Sequence, residues 1–427
     1  MIGDDIKYIS LLVVIMAIIK TLFVLNQDLR RVISKKELIL NEKVSSLDNI
    51  DTPKIFFTFL SMLIISRLII YLVGYMGTVI FHGNNLDILT SFKSMWIRWD
   101  APHFLSIAQY GYKNMGEERY LIVFYPLYPL MIRIFYYVVR DYFWSGIFIS
   151  NVSLLITCFY FYKLLRIDFS HVIAFNSIKY LLIFPFSFFL ALTFTDSLFL
   201  ALSILTLYNL RLKNWFYASL FGLLATLTRS FGILLVVPAV IEYLQESKLI
   251  QNLKMRNMSD LFLDVRNISS FLLIPSGIGL YIYLNKAITG NPFMFTIYLR
   301  EHWGVTSVLF CEVFKLIYTK IILDTLIMKL CIWVPGFILT IIVICSIFYS
   351  FNKIRISYIC YSLSYLILAC SHSWPLSLHR YLMCNFLIYI VFALISKNRK
   401  IDFILTFTSI VLLCFYTIVF TYGSYVM

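Results

Sequence analysis

The sequence predicts an all-α polytopic membrane protein, on three observations. Its 427 residues are 61% hydrophobic and only 14% charged, with a mean hydropathy of +0.85, whereas a soluble chain is nearer half apolar and a quarter charged. The apolar residues come in blocks close to the ~20 residues that cross a bilayer as helix. The 36 Lys and Arg gather in short clusters between those blocks, as cytoplasmic loops require. The net charge of +14 therefore reports membrane orientation and implies no nucleic acid. A single bundle of about ten to twelve spans, with interfacial helices on the outer face, is the expected architecture.

The first span, near 8–25, follows Asp4 and Asp5 and lacks both a basic lead and a small-residue cleavage site, so it reads as retained. The stretch after it, 26–54, carries Arg30, Arg31, Lys35, Lys36 and Lys43, which places it in the cytoplasm. Residues 1–54 thus hold one span and a basic cytoplasmic loop ahead of the transmembrane region 55–427. Further spans are expected near 55–80, 143–165, 171–192, 197–213, 268–286, 331–350, 356–371, 380–396 and 401–422. The eight cysteines form no Cys-x-x-Cys pair and read as small buried hydrophobes.

Segment 216–245 decides the parity of every later span. As one span it would put Lys353, Arg355, Lys397, Arg399 and Lys400 outside, against the rule, and would carry Arg229 at mid-membrane depth, where a guanidinium is costly. A broken pair of short helices, entering and returning on the cytoplasmic side with Arg229 at the bend, removes both conflicts. Lys248, Lys254, Arg256 and Arg266 then lie inside. Three loops (81–142, 287–330 and 372–379) and the Thr193–Asp196 turn converge on the outer face. Within them, 120–139, interrupted by Pro126, Pro129 and Arg133, reads as a helix lying flat on the membrane, and 291–303 as another. Six of the seven tryptophans, all but Trp215, fall near that face. Indoles there anchor the chain in the interface, and they also stack on sugar rings.

Chemistry concentrates in residues 96–112, where Trp96, Arg98, Trp99, Asp100 and His103 crowd beside an apolar run. Asp100 precedes Ala101-Pro102 and a helical stretch closed by Gly111, so it reads as an N-cap and equally as a general base, roles that are compatible. His103 lies one turn further on. Asp196 opens a span on the same face, with a helix cap as the alternative reading. Arg380 begins a span where snorkelling and phosphate binding both fit. No Gly-x-Gly-x-x-Gly, P-loop or His-Glu-x-x-His pattern occurs, so nucleotide-driven and zinc-protease chemistry lack support. No cofactor is implied, and a divalent metal is not indicated.

Arg98-Trp99-Asp100-Ala101-Pro102-His103-Phe104 with Ala108, Gly111 and Tyr112, then Phe124 to Pro129, Thr193 to Phe199, Leu227 to Gly232, Gly290 to Pro292 with Trp303, and Leu378 to Tyr381 occur in one order. Together, over roughly residues 55–400, they resemble the PIG-V family (GPI mannosyltransferase 2 and its prokaryotic relatives), membrane glycosyltransferases of the GT-C fold, relative to which residues 1–54 are an N-terminal addition. The resemblance implies inverting transfer of mannose, or a related hexose, from a polyprenyl- or dolichyl-phosphate donor to a glycolipid or glycan hydroxyl on the non-cytoplasmic face. It implies Asp100 as the base and Arg380, Arg229 and His379 around the donor phosphate. Arg98, Trp99, His103, Tyr112, Tyr125, Asp196 and Trp303 would contact substrate. The form of the first motif is closer to the prokaryotic branch, hence a plasma membrane; a eukaryotic relative would sit in the endoplasmic reticulum. A transporter or flippase of lipid-linked sugars is the alternative, since it would also carry broken helices and an intramembrane arginine.

Overall fold

A computed structural model describes residues 2–34, 51–82, 88–246, 258–423 and 426. Among these the secondary structure is helical, with one isolated antiparallel bridge between Ser307 and His372. In chain order the helices are α1 (Ile2–Ser34), α2 (Thr52–His82), α3 (Ile88–Trp96), α4 (Ala101–Tyr110), α5 (Leu127–Val139), α6 (Tyr142–Asp168), α7 (His171–Ile183), α8 (Asp196–Arg211), α9 (Trp215–Thr228) and α10 (Val236–Glu246). There follow α11 (Met258–Ser270), α12 (Leu273–Thr289), α13 (Met294–Glu301), α14 (Phe310–Leu323), α15 (Leu326–Ser350), α16 (Ile356–Ala369), α17 (Leu378–Met383), α18 (Leu387–Ile395) and α19 (Arg399–Tyr422).

Five of the described helices are long and apolar enough to cross a membrane, or eight if each of three bent pairs counts as one span. Three shorter apolar helices, α7, α9 and α16, share the bundle. The polytopic helical class therefore holds, and the differences from expectation lie where polar or imino residues break the ladder. The span expected at 171–192 stops at Ile183, because Pro185 forces the preceding Phe184 into extended backbone (ψ 143°). The chain continues as a buried 3₁₀ turn, Ser187–Ala191. The span expected at 380–396 is broken between α17 and α18 with a 61° bend. There Asn385 bonds Ser362, accepting from its Oγ at 2.7 Å and donating to its carbonyl at 3.2 Å. The piece at 120–139 is not one flat helix: a 3₁₀ segment, Glu117–Val123, meets α5 at 110°, with Pro126 at the corner. Basic residues in 35–50, and Lys248, Lys254 and Arg256, lie outside the described residues.

The segment 215–246 turns back on itself. Helix α9 ends at Arg229, whose backbone is extended (φ −157°, ψ 148°), and a 3₁₀ turn, Ser230–Leu235, leads into α10. The ring of Trp215, at the start, lies 4.9 Å from that of Tyr243, near the end, and Lys213 Nζ is 3.4 Å from Glu246. Both ends thus share one end of the bundle, with Arg229 at the bend. The return is tight: a Cβ on Gly232 would sit 2.3 Å from the Thr226 nitrogen, so no side chain is accommodated there. Helix α8 runs beside this hairpin from Asp196, at the bend, to Arg211, which pairs with Asp168 at the other end.

Candidate active site

Four buried or half-buried charged groups from four parts of the chain alternate in sign. Arg380 Nη2 forms an ion pair with Asp100 Oδ2 at 2.7 Å, Arg380 Nε lies 3.4 Å from Asp196 Oδ2, and Asp196 Oδ1 accepts from Arg229 Nη1 at 2.6 Å. The side chains of Asp196, Arg380 and Arg229 are 0%, 3% and 8% exposed, and Asp100 is 28% exposed. Such a set survives burial because each charge meets an opposite one, and no charge is left over. Aromatic faces complete the shell: the Arg229 guanidinium lies 4.7 Å from the Tyr381 ring and that of Arg380 4.9 Å from Phe194, distances at which a ring quadrupole favours a cation.

Local backbone chemistry puts Asp100 there. Trp99 occupies the left-handed region (φ 56°), uncommon for a non-glycine residue, in the four-residue connection 97–100 that joins α3 to α4. Asp100 is the N-cap by position, its carbonyl accepting from the His103 and Phe104 nitrogens at 3.1 Å. Its side chain makes no cap bond; the carboxylate goes to Arg380 instead. Arg98 anchors the turn from behind, donating to the Met95 carbonyl at 3.0 Å and the Thr421 carbonyl at 2.8 Å.

Three of the four charges, Asp100, Arg229 and Arg380, border a cavity of about 560 Å³, whose wall also includes Trp99, His103, Tyr125 and Trp303. Tyr125 stacks on Tyr281, ring centroids 4.2 Å apart. The segment before it is held by Tyr281 donating to the Ile122 carbonyl at 2.7 Å and Tyr112 to the Phe124 carbonyl at 2.8 Å. Trp303 meets His103 and Phe124 edge-on, at 5.5 and 5.7 Å. The loops carrying Trp303 and His372 are clipped together: Val308 N donates to the Ser371 carbonyl at 3.0 Å and Ser373 N to the Thr306 carbonyl at 2.9 Å. Trp303 Nε1 and His372 Nδ1 are buried without a hydrogen-bond partner among the described residues. Burial also pushes the His103 and His372 imidazoles below their ordinary range, so both ring systems are neutral hydrogen-bonding groups near pH 7.

Four expected site residues do not reach the cavity. His379 is wholly buried, packed 4.5 Å from the Phe186 ring, and is set apart from any ligand there by its own helix turn. Arg98 and Tyr112 are spent on backbone carbonyls, because the loop they secure needs buried acceptors satisfied. Asp196 lies behind the two arginines. Arg380 does not snorkel; it is buried in the ion network. Sequence reasoning passed over Tyr381, His302, His372 and Trp374 on the wall, and Cys384, whose Sγ is 3.7 Å from Asp196 Oδ1. Position beside Arg380 was the available signal for Tyr381; the histidines and Trp374 were marked only by their face.

Residues 125–261 match the family model described as dolichyl-phosphate-mannose-protein mannosyltransferase. That stretch contains Asp196 and Arg229 and leaves Asp100 and Arg380 outside. No curated protein matches the chain significantly. Among solved structures the chain is similar to the Archaeoglobus fulgidus oligosaccharyltransferase in its apo form, at 11% identity and TM-score 0.44, over 85% of this chain and 55% of that one. It is similar also to the same protein in complex with Zn and sulfate, at 12% identity and TM-score 0.41, over 82% and 53%. The chain spans about half the length of those structures.

Proposed function

We propose that this protein is an inverting GT-C glycosyltransferase that moves mannose, or a related hexose, from a polyprenyl- or dolichyl-phosphate donor to a hydroxyl of a glycolipid or glycan. The observation that carries the reading is the convergence of one half-exposed carboxylate, Asp100, and two guanidiniums, Arg229 and Arg380, on one aromatic-walled cavity. The family model over 125–261 supports mannosyl chemistry on a lipid-phosphate donor, and the ordered motifs support the PIG-V reading.

In this mechanism the acceptor oxygen attacks the anomeric carbon as the bond from that carbon to the phosphate oxygen breaks. The lipid phosphate leaves with the bonding pair, and the acceptor proton passes to Asp100. One inversion turns a β-linked donor into an α-glycoside. The departing phosphate gains charge in the transition state, and fixed guanidiniums at that point lower the barrier more than they would in water. Trp99, Trp303 and Tyr125 supply ring faces for a sugar, and His103 a neutral hydrogen-bonding group. The site faces the non-cytoplasmic side, since the opposite end carries Lys213, Arg355 and the hairpin ends; a plasma membrane suits the prokaryotic form of the motifs.

The test is incubation of the purified protein in lipid nanodiscs or vesicles with labelled polyprenyl-phosphate mannose and a mixture of glycolipid acceptors. Label moving to an acceptor is the expected result. Label crossing the bilayer without transfer would replace the reading with a lipid-linked sugar flippase.

A further inference from the structure

Asp196 does not line the cavity, yet it touches both cations that do. Arg229 is tied to it by a bond from Nη1 to Oδ1, at 2.6 Å. Its other oxygen, Oδ2, and Arg380 Nε lie 3.4 Å apart, and each is a buried polar atom without a hydrogen-bond partner among the described residues. An orphan donor and an orphan acceptor therefore face each other at near-bonding distance, out of alignment. The misalignment has a structural cause, because the far end of the same guanidinium is held by Asp100 at 2.7 Å.

We propose that Asp196 is a positioning residue that re-seats Arg380 when the donor binds. The lipid phosphate takes the Nη edge of Arg380 that Asp100 now holds; the guanidinium rotates so that Nε donates to Asp196 Oδ2; and Asp100 is released to the acceptor hydroxyl. The gain is twofold. A buried pair that is unsatisfied in the free protein becomes a charge-assisted bond in the complex, and the base is freed only when the donor is in place. This rests on the reading of the cavity as a lipid-phosphate sugar site, and names the group that orders it.

The sign of two effects tests it. Binding of sugar-free polyprenyl phosphate to the protein in nanodiscs is measured for wild type, Asp196→Asn and Asp100→Asn, beside donor KM and kcat. Asparagine is isosteric and its amide oxygen still accepts from Arg229. Plain electrostatics makes removal of either acid tighten an anion. Re-seating makes the two differ: Asp100→Asn binds the phosphate several-fold tighter, and Asp196→Asn about tenfold weaker, with a matching rise in donor KM. Tighter or unchanged binding in folded Asp196→Asn would overturn the proposal. Should that variant fail to fold, unchanged or weaker binding in Asp100→Asn would overturn it alone. Absence of sugar transfer by wild type, with the two binding signs intact, would instead count against the enzymatic reading.

Discussion

Among the described residues the bundle holds a buried set of acids and arginines at each end, and the two differ in saturation and in setting. At the end away from the cavity, Glu242, which is 0% exposed, accepts two bonds from Arg355, Nε at 3.0 Å and Nη2 at 2.7 Å, and a third from Ser357. Arg211 pairs with Asp168 through both of its terminal nitrogens and lies 3.7 Å from Glu242. That set ties α6, α8, α10 and α16 together with its central carboxylate saturated. The Asp100–Arg380–Asp196–Arg229 set uses the same chemistry and balance of charge, yet leaves Asp196 Oδ2 and Arg380 Nε unbonded and gives three members to a cavity wall. Saturation makes a clamp. Glu246 Oε2 at the far end is likewise buried without a hydrogen-bond partner among the described residues, 3.4 Å from Lys213 Nζ, but it lies away from the cavity; the open bonding capacity of the Asp100 set lies beside the cavity wall, where a ligand could use it.

The largest effect should break the two sets apart. Asp100→Asn removes the proposed base and is expected to lower kcat by about 10²–10⁴-fold while the protein still purifies in folded form. Glu242→Gln leaves Arg355 and Arg211 facing a neutral amide in the core. Breaking a buried pair in this way costs about 3–5 kcal/mol, so its unfolding midpoint should fall sharply, with turnover per folded molecule unchanged. Equal loss of activity and stability in both variants would erase the distinction. Next in size, Arg229→Lys keeps the charge but loses the planar fork and the Tyr381 contact. With bonds to charged groups contributing about 1.5–3 kcal/mol, donor KM should rise roughly 10- to 100-fold. Arg355→Lys, its counterpart at the opposite end, should leave donor KM alone and lower only stability.

The difference between the two ends also explains what the chain made legible. Composition and block length gave the helical class, because the bilayer imposes span length on any sequence that crosses it. The basic clusters suggest a parity on which 216–245 reads as a hairpin with Arg229 at its bend, and the chain does turn back there. Trp96 to Tyr112 announced the site because polar residues beside an apolar run are costly unless used. What could not be read was partnership. Nothing local in Leu378 to Tyr381 says that Arg380 turns inward to Asp100 while His379, its neighbour, points into phenylalanine; a helix turn separates adjacent side chains by about 100°, and tertiary packing chooses which one faces the cavity. The bonds of Arg98 and Tyr112 were unreadable for a related reason. Their targets are backbone carbonyls of distant segments, which carry no sequence signature.

A third, smaller effect concerns the wall and not the charges. Trp303 meets His103 and Phe124 edge-on, and aromatic contacts of that kind contribute about 0.5–1.5 kcal/mol each. Trp303→Ala should therefore raise acceptor KM roughly two- to tenfold and leave polyprenyl-phosphate binding unchanged. A change in phosphate binding instead would move the indole to the donor half of the cavity.

The smallest effect is a pH dependence confined to the cavity end. Burial holds the His103 imidazole below its ordinary 6.5, His302 adds to the lowering, and only the Asp100 carboxylate opposes it. The folded protein therefore binds this proton less readily than the unfolded chain does. Above pH 6.5 the imidazole is neutral in both states and contributes no pH dependence; as pH falls below that value the unfolded state gains protons first and stability is lost. Wild type and His103→Gln should accordingly unfold at the same offset from each other at about pH 7.5 and about pH 8.5. Between about pH 6.5 and 5 the wild type should lose about 1–2 °C more than the variant. Asp100→Asn removes the opposing carboxylate, lowers the imidazole further, and should steepen the wild-type slope. A slope unchanged in both variants would mean that His103 titrates as a solvated group, and the cavity end would then be no drier than the surface.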